Sequence, residues 1–406
     1  MVIGIIGGGA SGMAAALTAS QNPQVQVILL ERQARVGRKL MATGNGRCNL
    51  SNAHCGPDRG YHGEHPEFVN SSLERFGSAE TIAWFRDFGL YTVTEESGRI
   101  YPYSDQANSV VDVLRFALDK PNIRVITGCE VQKVKKENQG FSLETEQETV
   151  FCDRVIIACG GLAGTKLGGS MSGYKLLKSF GHRVTKLRPA LVQLKSSWNQ
   201  VASLKGIRTN CTASICFNGR QIIRSTGQLQ FTEYGLSGPV IFEISRVVCR
   251  EKGEWVCRLD FLPEITVCQL LEELRSRKSR SIPVQELLTG ILHNRLGRVL
   301  VQMAGIPAEC KTVELRDEQL EALAKLVKCL DVTITEPMGM DCAQVTAGGV
   351  CTEDFNSETM ESNLVPGLFA CGEVLDIDGD CGGYNLQWAW SSGRAAGAAA
   401  GEIEQK

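Results

Sequence analysis

The stretch "VIGIIGGGASGMAAALTASQNPQVQVILLE", residues 2–31, constrains this chain more than any other. A short apolar run predicts a buried strand, the glycines a turn, "MAAALTASQ" a small-residue helix, and "VQVILLE" a second strand that ends on an acid. Strand, turn, helix and strand in that order imply a parallel sheet. Within the turn, Gly7-x-Gly9-x-x-Gly12 is a weak pattern by itself. Here it follows a strand, opens a helix at Ala10 and Ser11, and precedes Glu31 at the next strand end, which completes a dinucleotide-binding fingerprint. Glycine lets backbone approach a pyrophosphate whose charge sits at the helix N-terminus. Glu31 is expected to accept hydrogen bonds from a ribose hydroxyl, which disfavours a phosphorylated ribose and hence NADP at this position.

Further along, amphipathic helices are predicted around Glu67 to Phe88 and over Ala107 to Leu118, where Val110, Val111, Leu114 and Leu118 recur at helical spacing. "NIRVITG", "EVQKVKKE" and "GFSLETE" read as strands, "CDRVIIACGG" as a buried strand running into glycines, and "SGYKLLKSFG" as a helix. From about Leu187 the texture becomes antiparallel and β-rich ("CTASICFNG", "RQIIRST", "WVCRLDFLP"). From Thr266 to Lys328 it is helical and charged, including "VQELLTGILHNRLGRVLVQMAG". After Asp331 the first texture returns, with "LVPGLFACGEV" as another strand-to-glycine junction. A different block between two similar ones predicts an insertion into a discontinuous nucleotide-binding domain.

Among the 406 residues, 43 basic and 45 acidic side chains nearly cancel, giving a net charge of −2. That balance offers no electrostatic reason for nucleic acid or an anionic membrane as partner. The amino terminus lacks the basic region and cleavage site of a signal peptide, and no apolar run approaches the ~20 residues that span a bilayer. A cytoplasmic protein is expected, whose sixteen cysteines are reduced thiols.

The choice between NAD and FAD rests on the rest of the chain. Arg32 follows Glu31, and "RVGRKL" brings Gly37, Arg38 and Lys39 shortly after it, as in many two-dinucleotide-fold flavoproteins. "RVIIACGG", with Cys159, Gly160 and Gly161, resembles a later strand that approaches FAD in those proteins. "GLFACGEV" resembles their C-terminal motif, with Gly372 and with Glu373 where Asp is usual, followed by Asp376. "GRKLMATGNGRCNLSN", "FTEYGLSGP", "VTAGGV" and "GLFACGEVLDIDGDCGGYNLQWAWSSGRAAG" together resemble a bacterial family of three-domain FAD-dependent oxidoreductases, end to end. That family includes bile-acid steroid desaturase or reductase flavoproteins and an aminoacetone oxidase.

The resemblance implies an α/β fold. A Rossmann-like FAD domain of the two-dinucleotide-binding type (1–186 and 336–406) is interrupted by an antiparallel β-barrel-like unit (187–265) and a small helical unit (266–335). It implies that Gly382 and Gly383 bring a second helix N-terminus, with Tyr384, Asn385 and Leu386, against the flavin. The small residues Ala395 to Ala400 are expected to let that helix lie close to the sheet. The loop Thr43 to Asn52 is expected to wrap the cofactor, with Gly44, Cys48 and Asn49 beside it and Arg47 on the pyrophosphate. Asn45 or Asn49 would reach flavin or substrate. Val131 completes the cofactor contacts.

Tyr101, where the family pattern often has Phe, is a candidate proton donor to a substrate carbon, with Asn45 and Tyr384 as further catalytic candidates. Three lookalikes are set aside. Cys211 and Cys216 have the spacing of a flavin disulfide pair, but strand alternation would separate them. Cys48, Cys55, His62 and His65 are spaced too widely for a structural zinc site. "DIDGD" has Cys381 where a calcium loop needs glycine and Gln387 where it needs an acid; no metal is expected.

No second strand-glycine-helix-acid unit is present for a nicotinamide, so NAD(P)H is expected only as a transient electron donor. The leading expectation is hydride transfer across a carbon–carbon bond conjugated to a carbonyl, by an enone reductase or desaturase on a steroid-like small molecule. An oxygen-dependent amine oxidase making hydrogen peroxide is the alternative. An RNA-binding or RNA-modifying flavoprotein is a third, to which basic clusters such as Arg275, Arg277, Lys278 and Arg280 would point, although a solvated helix face explains them better. Oligomeric state is not legible in the sequence.

Overall fold

The computed structural model describes residues 1–250 and 253–403. The chain forms two compact units, one from Met1–Arg188 with Gln344–Lys406 and one from Pro189–Ala343.

A five-stranded parallel sheet is the centre of the first unit. Its order is Leu368–Ala370, Arg154–Ile157, Val2–Ile6, Gln26–Glu31, Ile123–Thr127. The inner strands are apolar on both faces: Ile3, Ile5, Leu29, Ile156 and Phe369 are all essentially inaccessible. Parallel strands read this way because their crossovers cover both faces. The run "CDRVIIACGG" divides at Asp153. Thr149–Cys152 joins an antiparallel sheet with Phe141–Thr145 and Val131–Lys136, whereas Arg154–Ile157 enters the parallel one. Between Glu67 and Phe88 the chain forms two helices, Asn70–Arg75 and Ser78–Asp87, broken at Gly77, whose amide donates to Glu80 Oε2 at 2.9 Å.

The terminal helix, Tyr384–Gly401, lies chiefly on the first helix, Ala10–Ala19, and also meets the sheet strands Arg154–Ile157 and Leu368–Ala370. The contact surface is Gly393, Gly397 and Gly401, one per turn and a little over. A Cβ on Gly393 would stand 2.3 Å from Ser11 O, and one on Gly397 2.4 Å from Ala15 O. The other end of this helix is closed by Arg154, whose Nη1 donates to the carbonyls of Ala399, Ala400 and Glu402 at 2.9, 3.0 and 2.9 Å. These are acceptors that a helix C-terminus leaves unpaired, and a cation there also meets the negative end of the helix dipole. Arg154→Ala is expected to lower stability by about 1.5–3 kcal/mol, the range for hydrogen bonds to a charged group. Urea unfolding followed by tryptophan fluorescence checks this, with Arg154→Lys recovering part of the loss.

A closed six-stranded barrel dominates the second unit, in the order Leu194–Ser196, Gly235–Ser237, Arg220–Phe231, Arg208–Phe217, Trp255–Asp260, Leu330–Pro337. Helix Pro239–Arg250 packs Val240, Ile241, Ile244 and Val248 on the strands. Helices Val267–Lys278, Asn294–Met303 and Asp317–Lys328 form a cluster within this unit. The run "VQELLTGILHNRLGRVLVQMAG" is not one helix. Gly290 has φ +82°, and a fresh start is made at His293, whose side chain accepts from the Arg295 amide. Cys211 and Cys216 stand on opposite faces of Arg208–Phe217: Cys211 joins Ala213 and Ile215 in the barrel core, and the bulge beside Cys216 places its extra residue, Ile222, on the partner strand. Both are free thiols, and burial pushes that of Cys211 up to about 12, so it stays protonated and a poor nucleophile.

Candidate active site

Because the sheet is parallel, residues far apart in sequence arrive together at the carboxyl ends of its strands. That edge is where open α/β sheets bind ligands. Gly7 follows the first strand with φ +109°, and a Cβ there would lie 2.4 Å from Ala158 O. A Cβ on Gly12 would lie 1.8 Å from Gly7 O, so the helix starts in contact with the turn itself. Gly9 differs: nothing stands within 4 Å of its Cβ position. The turn is thus tight against its own protein on two sides and open at Gly9. There the first-turn amides of Ala10, Ser11 and Gly12, which no helix pairs internally, can meet an anion. These residues fit a dinucleotide pyrophosphate.

Glu31 closes the other side. Its Oε2 accepts from the Gly8 amide at 2.7 Å and its Oε1 from the Gln33 amide at 2.7 Å. Both oxygens are oriented by backbone, and each keeps a second lone pair for a ribose hydroxyl. Gly8 was missed in the sequence because the fingerprint does not require it. Gly37, at φ +72°, donates its amide to Gly8 O at 2.8 Å and carries the chain past this turn. Arg32 donates to Gly168 O at 2.6 Å, and Arg38 reaches Gln33 and Lys166 O. Val131 opens its strand, buried.

Two more glycine turns meet the first. A Cβ on Gly372 (φ +77°) would touch Ser11 Oγ at 2.6 Å, and one on Gly161 would touch Glu373 Oε1 at 2.4 Å. The carboxylate of Glu373 is held by Lys39 Nζ at 2.8 Å and by the Thr346 amide at 2.9 Å. Gly160, at φ +69°, again faces open space. Cys159 and Cys371 flank these turns. Burial pushes both thiols up to about 12, so they are neutral at physiological pH.

The loop 43–52 is locally strained, with Gly44, Asn45, Gly46 and Cys48 all at φ between +57° and +86°. Asn45 is exposed, Cys48 is buried with its thiol pushed up to about 12, and Asn49 Oδ1 accepts from the Ile100 amide. Arg47, expected on the pyrophosphate, is engaged otherwise. It pairs with Glu95 at 3.0 Å and with Asp105, and its guanidinium covers the Tyr101 ring at 3.9 Å. Tyr101 is 6% exposed, and burial raises its hydroxyl's pKa.

The rest of the loop seats the terminal helix. A Cβ on Gly383 (φ +109°) would stand 2.2 Å from Ser51 O, and Asn52 Nδ2 donates to Gly382 O at 2.9 Å. Buried Gln387, set aside above as a failed calcium ligand, satisfies its whole amide. It accepts from Ser51 Oγ and Thr81 Oγ1 and donates to Phe76 O and Ser391 Oγ. Trp390 donates to Leu50 O at 3.0 Å, and Asn385 bonds the backbone of Gly379 and Asp380. Leu386 is half-buried on this turn. Asp376 is buried and accepts from the Glu64 amide at 3.2 Å.

Beside this N-terminus lies a constellation that sequence spacing did not connect. Tyr61 donates to Tyr384 O at 3.1 Å and meets its ring edge-on, with centroids 5.7 Å apart. Next to it, His62 Nε2 stands 2.6 Å from Asp380 Oδ1. The two halves are 318 residues apart in the chain and are joined by a two-residue antiparallel pairing of Tyr61–His62 with Asp378–Gly379.

The model of the family described as HI0933-like protein Rossmann domain matches residues 1–399. The chain belongs to this family. It is an FAD-dependent oxidoreductase. It is 41% identical over 98% of its length to 3-dehydro-bile acid delta(4,6)-reductase of Clostridium scindens, covering 99% of that protein. It is 34% identical over 96% of its length to ribosomal RNA dihydrouridine synthase of Escherichia coli, covering 95% of it. Among solved structures, 3-ketosteroid delta1-dehydrogenase from Sterolibacterium denitrificans aligns over 98% of this chain and 99% of its own. The TM-score is 0.51 at 11% identity, a likeness of fold alone. No helix among the described residues is long and apolar enough to cross a membrane.

Proposed function

We propose that this oxidoreductase reduces a carbon–carbon double bond conjugated to a carbonyl in a flat, steroid-like small molecule, with NAD(P)H as a transient electron donor in the cytoplasm. The observation that carries the reading is the 41% identity, along nearly the full length of both chains, to a reductase of a 3-dehydro-bile acid. FAD, when bound, supplies the hydride. The protein's own residues do the rest. The amides at Gly9–Gly12 hold the pyrophosphate, and Glu31 takes the ribose. The helix start at Gly383–Tyr384 places the positive end of a helix dipole where negative charge is favoured. Lys39, Glu373 and Thr346 fix the glycine turns around them. Tyr384 and Asn45 stand at the edges of this region as substrate contacts.

A second reading is supported by the dihydrouridine synthase relative. A uracil ring also carries a double bond conjugated to a carbonyl, so the same hydride chemistry would serve a uridine in RNA. The basic cluster does not favour it. Arg275 pairs with Asp317, Arg277 with Glu273 and the carbonyls of Leu287 and Thr289, and Lys278 approaches Asp317 at 3.9 Å.

Anaerobic absorption spectroscopy tests the choice. Bleaching of the flavin band by NADH or NADPH, followed by recovery with an unsaturated 3-ketosteroid, is the expected result. Recovery only with uridine-containing RNA would transfer the assignment to the second reading. Bleaching by small amines with fast recovery in air would make the protein an oxidase and overturn both.

A further inference from the structure

We propose that His62, positioned by Asp380, delivers the proton that completes reduction of the substrate. The inference rests on the enone-reduction reading and names the acid that reading requires. A hydride reaching the β-carbon leaves the π-electron pair on the α-carbon as an enolate. The N–H bond of a His62 imidazolium then breaks as the Cα–H bond forms. The neutral imidazole left behind is reprotonated from water.

Three observations support this role over that of Tyr101. The first is position. Asp380 lies two residues before Gly382, and its amide donates to Gly60 O at 2.8 Å while its own carbonyl accepts from Asn385. The dyad is therefore locked to the start of the terminal helix, which the reading sets against the flavin. Glycines at 60 and 63 make the lock tight: a Cβ on Gly60 would sit 2.5 Å from the Tyr384 ring, and one on Gly63 2.1 Å from Asp376 O.

The second is access. The side chains of His62 and Asp380 are 34% and 38% exposed, so the imidazole can meet substrate on one side and reload from solvent. Tyr101 is buried beneath Arg47.

The third is the electrostatic surround. Around the dyad stand Cys55 and Tyr61 on its own loop, Tyr384 on the terminal helix, Asp378 paired with His62 across the short ladder, and Arg99 against Gly382. Burial pushes the Cys55 thiol up to about 11 and the Tyr61 hydroxyl well above its usual range. Both neighbours thus keep their protons near neutrality. Imidazole is the side chain type suited to trading one there, and a carboxylate partner fixes its orientation.

The test uses His62→Gln and Asp380→Asn in the FAD-loaded protein, each first checked for unchanged flavin spectrum and melting temperature. Enzyme photoreduced without air is mixed with an unsaturated 3-ketosteroid, which isolates the proton-requiring half of the cycle from any nicotinamide. Reoxidation is expected to slow ~100-fold or more in His62→Gln, within the range for a lost general acid, and less in Asp380→Asn. In the wild type the rate should depend on pH, a dependence that His62→Gln lacks.

A readout without turnover accompanies it. Among the five histidine ring signals in NMR, the one missing from His62→Gln should shift when the saturated ketosteroid is added. Reoxidation of His62→Gln within about threefold of wild type, or a signal that does not move, overturns the proposal. A wild type that no enone reoxidises overturns the reading beneath it as well.

Discussion

Gly12→Ala is expected to leave the protein without FAD. The added methyl would stand 1.8 Å from the Gly7 carbonyl oxygen, far inside van der Waals contact. Neither atom belongs to a side chain that can swing away. Relief requires the helix start to move off the turn, and Gly7 is itself pinned by Ala158 O at the sheet edge. The first-turn amides then lose the geometry that lets several of them face one pyrophosphate. Purified Gly12→Ala should show no flavin absorbance and no recovery on adding excess FAD. Gly9→Ala, whose Cβ position is open, is the informative comparison. It should fold like the wild type yet bind FAD more weakly, because its methyl enters the space the ligand needs. Full flavin occupancy in Gly12→Ala would remove the cradle as the cofactor site.

Gly397→Val is expected to produce the largest loss of stability. Helix propensity argues for the substitution, since glycine inside a helix costs about 1 kcal/mol relative to alanine. Packing argues against it more strongly: the Cβ would fall 2.4 Å from Ala15 O and 2.9 Å from Ala15 Cα. Overpacking a close interface costs about 1–3 kcal/mol, and more where backbone opposes backbone. Displacing this helix would also disturb the bonds of Gln387, Trp390 and Trp388 to the loops that it seats. The flavin-reporting thermal transition should fall by about 5 °C or more, judged from the usual shift per kcal/mol in a domain of this size. Ala398→Val, on an exposed position of the same helix, should move it by no more than about 1–2 °C, the scale of propensity alone.

The order of residues carries the parallel sheet, the glycine turn and the acid at Glu31 because each is a local pattern with a short period. The same holds for the helices at Ala107–Ala117 and Ser172–Lys178. What failed to show locally depends on partners from elsewhere. The stripe Gly393, Gly397, Gly401 looks like a small-residue helix until Ser11 and Ala15 are set against it. Arg47 carries no sign that Glu95 and Asp105 will hold it. Gln387 is legible only as the centre of four bonds from three segments. His62 and Asp380 meet through a two-residue pairing too short to have any periodicity.

The sheet's edge strand Leu368–Ala370 and the helix Tyr384–Gly401 are encoded after the whole of the Pro189–Ala343 unit. On the ribosome, the nucleotide turn emerges long before the helix that covers it. At about 5–20 residues per second, the nascent turn waits on the order of 20–80 s for its lid. FAD retention by stalled chains ending near residue 360, compared with full-length chains, would register this directly, and equal retention would exclude it. Through that interval the small apolar face of the first helix lacks the partner that Tyr384–Gly401 supplies, so cofactor loading and protection from aggregation are both deferred until that helix is made.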